Sequence, residues 1–154
     1  MTREDLLEAL RPVLRDVAAL DLSRPDEAAA ALEASWPASR RAPLGELVRA
    51  ARDAGWLTPR RASDTVTFGR LAKPSEATHG LSVDAVDMTG AAIAHTHPRG
   101  EVSLCFAEDP EARFCGHPEG WVVVGPGSHH VPEVTGGRMV ILYFLPDGAM
   151  EWDA

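Results

Sequence analysis

The stretch AHTHPRGEVSLCF, residues 94–106, decides how this chain is read. It sets two histidines one residue apart and a glutamate four residues after the second. Side chains on a β-strand alternate between faces, so His95 and His97 point the same way. The PRG segment reads as a turn, and Glu101 then opens a following strand from which it reaches the same point. Downstream, GWVVVGPGSHHVP (120–132) ends a continuous apolar strand in a Gly-Pro-Gly turn followed by His129 and His130. Alternation lets only one of that pair share the inward face, and an outward His129 is the expectation. Three imidazoles and a carboxylate suit a divalent transition metal (iron, manganese, nickel or zinc) and leave one or two positions open for water or substrate.

Around this array the chain divides by period. From about residue 64 it runs in short β-rich segments punctuated by Gly, Pro and Asp: TVTFGRLA, LSVDAVDM, AAIAHTH, EVSLCFA, ARFCG, GWVVVG, HHVPEV and RMVILYFLP. That pattern predicts a sandwich or barrel. Before it, EDLLEALRPVLRDVAAL spaces Leu6, Leu10, Val13, Leu14 and Val17 as one face of a helix, with Thr2 at its start and a kink expected at Pro12. A second helix is predicted after Ser23 as N-cap, with Pro25 in its first turn and Pro37 as its stop. A third is predicted over PLGELVRAARDAGWL, ending near Gly55. The domain organisation expected is a helical segment, 1–57, packed on a β-barrel, 58–154, as one compact unit; a chain of 154 residues supports one core.

Composition limits the partners. The net charge is −8, which opposes phosphate backbones and anionic lipid surfaces. The helical segment holds 8 Arg against 10 Asp and Glu, so it offers no basic face for DNA. No apolar run has the length of a membrane span, and the charged N-terminus lacks a signal peptide's apolar core; a soluble, cytoplasmic protein is expected. Cys105 and Cys115 lack CxxC spacing and read as reduced, buried thiols.

The two histidine segments resemble the paired motifs of the cupin superfamily. That resemblance implies a mainly β fold, the double-stranded β-helix or jelly-roll barrel, with the N-terminal three-helix segment appended. It places the metal ligands on His95, His97, Glu101 and His130. The pattern is departed from at Gly90, Glu108, Gly125 and Val134, positions that shape turns. More narrowly, FGRLAKPSEATHGLSVDAVDM, HPRGEVSL and WVVVGPGSHHVPEVTGGRMVILYFLPDGAMEW, together with the N-terminal helices, resemble the 4-hydroxylaminobenzoate lyases over roughly residues 5–152. The resemblance implies a metal-dependent carbon-nitrogen lyase of nitroaromatic degradation, turning an arylhydroxylamine into a catechol, protocatechuate in the case of the 4-carboxyl substrate, with release of ammonia.

Further residues enter as candidates for that chemistry. His79, at a turn before Gly80, reads equally as a turn histidine and as a general acid/base at the barrel mouth; Glu101 is the other acid/base candidate. His117 reads as a loop residue. A small aromatic carboxylate needs a cation, and Arg70, Lys73 and Arg99 are the candidates, Arg70 first because a guanidinium fits a carboxylate bidentately. Trp121 and Tyr143 can stack on an aryl ring, with core packing the alternative. A homodimer is the expected assembly. The rival readings are a metal-dependent cupin dioxygenase acting on a small aromatic or thiol compound, and a non-catalytic small-molecule-binding cupin.

Overall fold

The structure, a computed structural model, describes residues 1–153. Three helices lead: α1 (Arg3–Ala18), α2 (Pro25–Ser35) and α3 (Ala38–Asp53). Thr2 caps α1 through a reciprocal box: its hydroxyl accepts from the Asp5 N–H and its own N–H donates to the Asp5 carboxylate, at 3.2 and 2.7 Å. The five predicted apolar positions of α1 are all buried, each contributing roughly 1.5–3 kcal/mol to the packing. The helix runs through Pro12 without a break. Two boundaries differ from expectation. Arg24, not Ser23, precedes α2, and the Ser23 hydroxyl donates instead to Asp21 at 2.6 Å. Helix α3 starts at Ala38, so that Pro37 is its N-cap and Pro43 lies inside it. Pro37 costs little at the cap, where its missing N–H has no partner to lose, whereas Pro43, the sixth helical residue, leaves the Ser39 carbonyl without its usual donor.

The strands are β1 (Arg60–Ser63), β2 (Val66–Ala72), β3 (Leu81–Ala91), β4 (His95–His97), β5 (Glu101–Ala107), β6 (Arg113–Phe114), β7 (Gly120–Val124), β8 (Ser128–His130), β9 (Glu133–Pro146) and β10 (Glu151–Trp152). They form two antiparallel sheets: a large one ordered β1-β2-β3-β9-β5-β7, with β6 also on β9, and a small one ordered β10-β4-β8. Together they make the jelly-roll barrel, mainly β, with the helices laid on one side. No helix is long and apolar enough to cross a membrane among the described residues.

The central strands of the large sheet, β3, β9 and β5, are buried on both faces, and residue parity sorts their side chains. Val83 and Ala85 of β3, Leu142 and Phe144 of β9, and Val102, Leu104 and Phe106 of β5 share one cluster with Leu6, Leu10, Val13 and Val48 of the helices. Met88 of β3, Met139 and Ile141 of β9, and Cys105 of β5 belong to a second cluster with Phe114 and Val134, on the barrel's inner face. Gly69 lets the chain leaving α3 come close to β2: a Cβ there would meet the Leu57 carbonyl oxygen at 2.4 Å. Cys105 is buried as expected, whereas Cys115 is exposed; it sits at a turn with φ +49°, outside the inward alternation of a strand.

Candidate metal centre and its cavity

Strand β4 pairs with β8 in a register that sets His95 opposite His130 and Thr96 opposite His129. Parity then does the rest: His95, His97 and His130 face inward, and His129 faces out, exposed, with its Nε2 3.0 Å from Asp153. The three inward Nε2 atoms lie 2.9 Å (His95–His97), 3.0 Å (His97–His130) and 3.2 Å (His130–His95) apart. His95 Nδ1 is 3.1 Å from the Ile93 carbonyl oxygen. That acceptor fixes the proton on Nδ1 and leaves the Nε2 lone pair directed at the other two rings. Three Nε2 atoms cannot satisfy one another in a triangle, because each is either a protonated donor or a lone-pair acceptor, and at least two of the three must then play the same role. A cation at the centre resolves the conflict. Adjacent ligands at right angles, each about 2.1 Å from a divalent ion, stand roughly 3.0 Å apart, so the observed separations fit a metal bound on one face by three nitrogens. These are the three residues whose ligand atoms converge within 4.8 Å of one another among the described residues.

Glu101 joins this group from the side. Its Oε2 is 3.1 Å from His97 Nε2, and its Oε1 accepts a 2.6 Å hydrogen bond from the Ser103 hydroxyl. Burial pushes the carboxyl up to about 7, with the Ser103 bond opposing the shift and the negative Asp84 adding to it. Burial, and then the neighbouring His95 and His130, lower His97 to about 3. Burial likewise lowers His95 and His130. Without a cation, the His97–Glu101 contact therefore sets a carboxyl that titrates near 7 beside an uncharged ring, and is not a fixed ion pair.

His95, Glu101, Ser103 and His130 open onto a cavity of about 250 Å³ whose other walls are largely apolar, among them Val66, Phe68, Met88, Phe114 and Ile141. That is room for one aromatic ring and its substituents. Tyr143 lines it, with burial raising its phenol well above the usual range and Asp84 adding to the rise. Trp152 of β10 also lines it, its ring edge-on to His95 with centroids 5.1 Å apart.

The other sequence candidates lie elsewhere. His79 (φ +55°) and Arg99, which pairs with Asp147, line a separate cavity with Leu22 and Pro126 and do not reach the histidines. Arg70 and Lys73 line a neighbouring groove, and the Arg70 guanidinium is bonded to Asp84, its Nε at 2.7 Å. Trp121 faces the helices: it pairs with Leu104, on the helix-packed parity of β5, and its Nε1 donates to the Trp36 carbonyl at 3.1 Å. His117 forms a turn bridge to Phe114. Sequence reasoning passed over Ser103 and Trp152. Ser103 had a signal, since it stands two residues after Glu101 on one strand and so shares its face; Trp152 sits on a two-residue strand with no periodicity to read.

Comparison with known proteins bears on what this cavity serves. The chain is 37% identical over 93 residues to a 4-hydroxylaminobenzoate lyase of Nocardioides sp. (strain LMS-CY), covering 54% of each chain. It is 32% identical over 100 residues to one of Pseudomonas putida, covering 54% of this chain and 57% of that one. The matches thus span about half the length of these curated relatives. Among solved structures, a cupin protein of Ralstonia eutropha JMP134 aligns with a TM-score of 0.45 at 14% identity, covering 64% of this chain and 66% of that one. A putative acetylacetone dioxygenase of Methylibium petroleiphilum PM1 aligns at 0.41 and 16%, covering 56% and 71%. Those two likenesses are distant, and nothing about the site rests on them. The model of the PnbB 4-hydroxylaminobenzoate lyase family matches residues 8–152, strands and histidines included, and the chain belongs to that family.

Proposed function

We propose that this chain is a metal-dependent lyase that converts an arylhydroxylamine, 4-hydroxylaminobenzoate or a close analogue, to the corresponding catechol and ammonia with uptake of one water. The observation that carries the reading is the triangle of Nε2 atoms, 2.9–3.2 Å on a side, opening onto an apolar cavity the size of one aryl ring. In the balanced reaction the N–O bond, the C–N bond and one ring C–H bond break, two C–O bonds form, and the ring proton leaves to the nitrogen or to water. Nitrogen gains the two electrons that the ring loses, so no external oxidant or reductant is consumed.

His95, His97 and His130 would hold the ion, which is iron, manganese, nickel or zinc. Bound there, such an ion supplies Lewis acidity to the N–OH oxygen. Glu101 is the group placed to move protons. Its Oε1 is held by Ser103 and its Oε2 lies 3.1 Å from His97 Nε2 at the edge of the cluster, so that oxygen would either join the histidines on the ion or turn to meet the leaving hydroxyl or the incoming water. Beside a cation on the histidines the carboxyl is favoured in its ionised form, which takes a proton from an incoming water and can return it to a leaving group. The apolar walls keep bulk water from a reactive ring. The helical segment contributes nothing to the cavity lining, which begins at Ala62; its role is to cover the outer face of the sheet. A cytoplasmic homodimer is the assembly we expect.

The test combines elemental analysis of the purified protein with an anaerobic assay for ammonia and catechol from 4-hydroxylaminobenzoate. Stoichiometric metal and equal yields of both products without O2 are expected. Product formation that requires O2 would make the protein an oxygenase. Tight binding of the aryl compound with no turnover would make it a binding module.

A further inference from the structure

One face of the large sheet carries two hollows side by side. Val66 and Phe68 of β2, Val86 of β3 and Ile141 of β9 face the metal cavity. Continuing along the same parity, Arg70 of β2, Asp84 of β3 and Leu145 of β9 face a groove of about 650 Å³. Phe68, Tyr143, Met150 and Trp152 line both and form the boundary between them. The two hollows differ in charge. The metal cavity has no Arg or Lys in its wall, and its ionisable groups are two of the three metal-site histidines, Glu101 and Tyr143. The groove is lined by Arg3, Arg60, Arg70 and Lys73, the last being the chain's sole lysine, against the single carboxylate of Asp84. On a protein of net charge −8 that is a local reversal of sign.

The four cations are not equivalent. Arg70 is bonded to Asp84 through both Nε and Nη2, at 2.7 and 3.4 Å. Arg3 donates to the carbonyls of Arg70 and Leu71 at 2.9 and 3.1 Å, which pins it to the groove wall without neutralising it. Arg60 and Lys73 have no carboxylate within 4.0 Å among the described residues. Both are exposed.

We propose that this groove is the carboxylate subsite for an aryl carboxylate whose reacting end lies in the metal cavity, with Lys73 and Arg60 as the residues that select the charge. The proposal rests on the function given above and names the residues that read the substrate's charge. Phe68, Tyr143 and Trp152 supply aromatic surface along the path from one hollow to the other. Arg70 is a positioning residue that keeps Asp84 from facing the ligand unpaired. The arrangement also fixes orientation. A carboxylate is itself a good metal ligand, and in a cavity without any other cation it would compete with the N–OH group for the ion. A cationic groove on the far side of the ring draws the carboxylate the other way.

The test is calorimetric titration of the metal-loaded protein with 4-aminobenzoate, which has no N–O bond to break, and with 4-aminobenzamide, its uncharged counterpart. Lys73→Ala and Arg60→Ala are each expected to weaken 4-aminobenzoate about three- to tenfold, as exposed charge-assisted contacts do. The double variant should weaken it by more than tenfold and flatten its salt dependence, Lys73→Arg should restore binding, and 4-aminobenzamide should change by less than twofold throughout. Wild-type affinity for 4-aminobenzoate in the double variant would overturn the proposal and put the carboxylate on the metal. Equal losses for both ligands would overturn it as well and give the two residues a structural role. Neither ligand is turned over, so these titrations decide the groove independently of the chemistry; a failure to release ammonia from arylhydroxylamines would defeat the proposed reaction alone.

Discussion

Replacing Glu101 with glutamine should make the metal-depleted protein more stable and the enzyme inactive. Glutamine keeps the shape: its oxygen accepts from Ser103, 2.6 Å away, and its amide N–H reaches His97 Nε2 over 3.1 Å. What it removes is an ionisation. The Glu101 carboxyl titrates near 4.5 in the unfolded chain and near 7 when folded, so the folded state holds the proton more tightly and stability falls as pH rises between those values. That gap of two to three pK units corresponds to about 3 kcal/mol once pH exceeds 7. Below pH 4.5 the group is protonated in both states and the two proteins should be equally stable. Urea unfolding of both metal-depleted proteins at pH 5 and pH 8 measures the difference, and the advantage of Glu101→Gln should grow by about 2–3 kcal/mol over that interval. Metal should narrow the advantage, since a cation beside Glu101 favours its ionised form. An advantage that is the same at both pH values would refute the claim that a buried, reluctant carboxyl sits beside the metal centre.

Three further outcomes follow from the packing and the ligand geometry. His97→Ala removes the ligand nearest both Glu101 and its two partner rings, and metal content by elemental analysis should drop below about one-tenth of wild type while the far-ultraviolet circular dichroism is retained. Leu10→Ala, at a position with no exposure in the cluster shared by helices and sheet, should cost about 2–5 kcal/mol in denaturant unfolding. Trp121→Phe, which loses the hydrogen bond to the Trp36 carbonyl, should cost about 0.5–1.5 kcal/mol for that bond together with some packing; an altered KM without lost stability would return Trp121 to the substrate.

The histidine triangle was legible because it depends on alternation, which a sequence displays directly. His95 and His97 share a face by period, and the turn at 125–127 brings His130 back opposite His95. The groups around them were harder to read for definite reasons. Trp121 lies on a strand whose first three residues are all buried, so no polar side marks which face meets the cavity. Arg70 looked free because Asp84, its partner, is a cross-strand neighbour 14 residues away. Strand β1 is fully exposed and carries two arginines, and β10 has two residues; neither shows the apolar run from which strands are recognised. The early start of α3 was hidden because Ala38-Ser-Arg-Arg has no apolar stripe, and Pro43 looked like a beginning.

Strand β9 lies between β3 and β5 and serves two interiors at once. Its Val140, Leu142 and Phe144 belong to the helices, and its Met139, Ile141 and Tyr143 belong to the barrel. For the lineage that carries this fold, that makes the length of the strand far less negotiable than its spelling. Exchanging one aliphatic residue for another at a given position changes volume alone, whereas inserting or deleting one residue near Met139 would turn the remainder of the strand over. Phe144 would then face the cavity and the Tyr143 hydroxyl would enter the helix-packed core. Drift among relatives should therefore show free substitution along β9, with changes in length confined to the turns at either end.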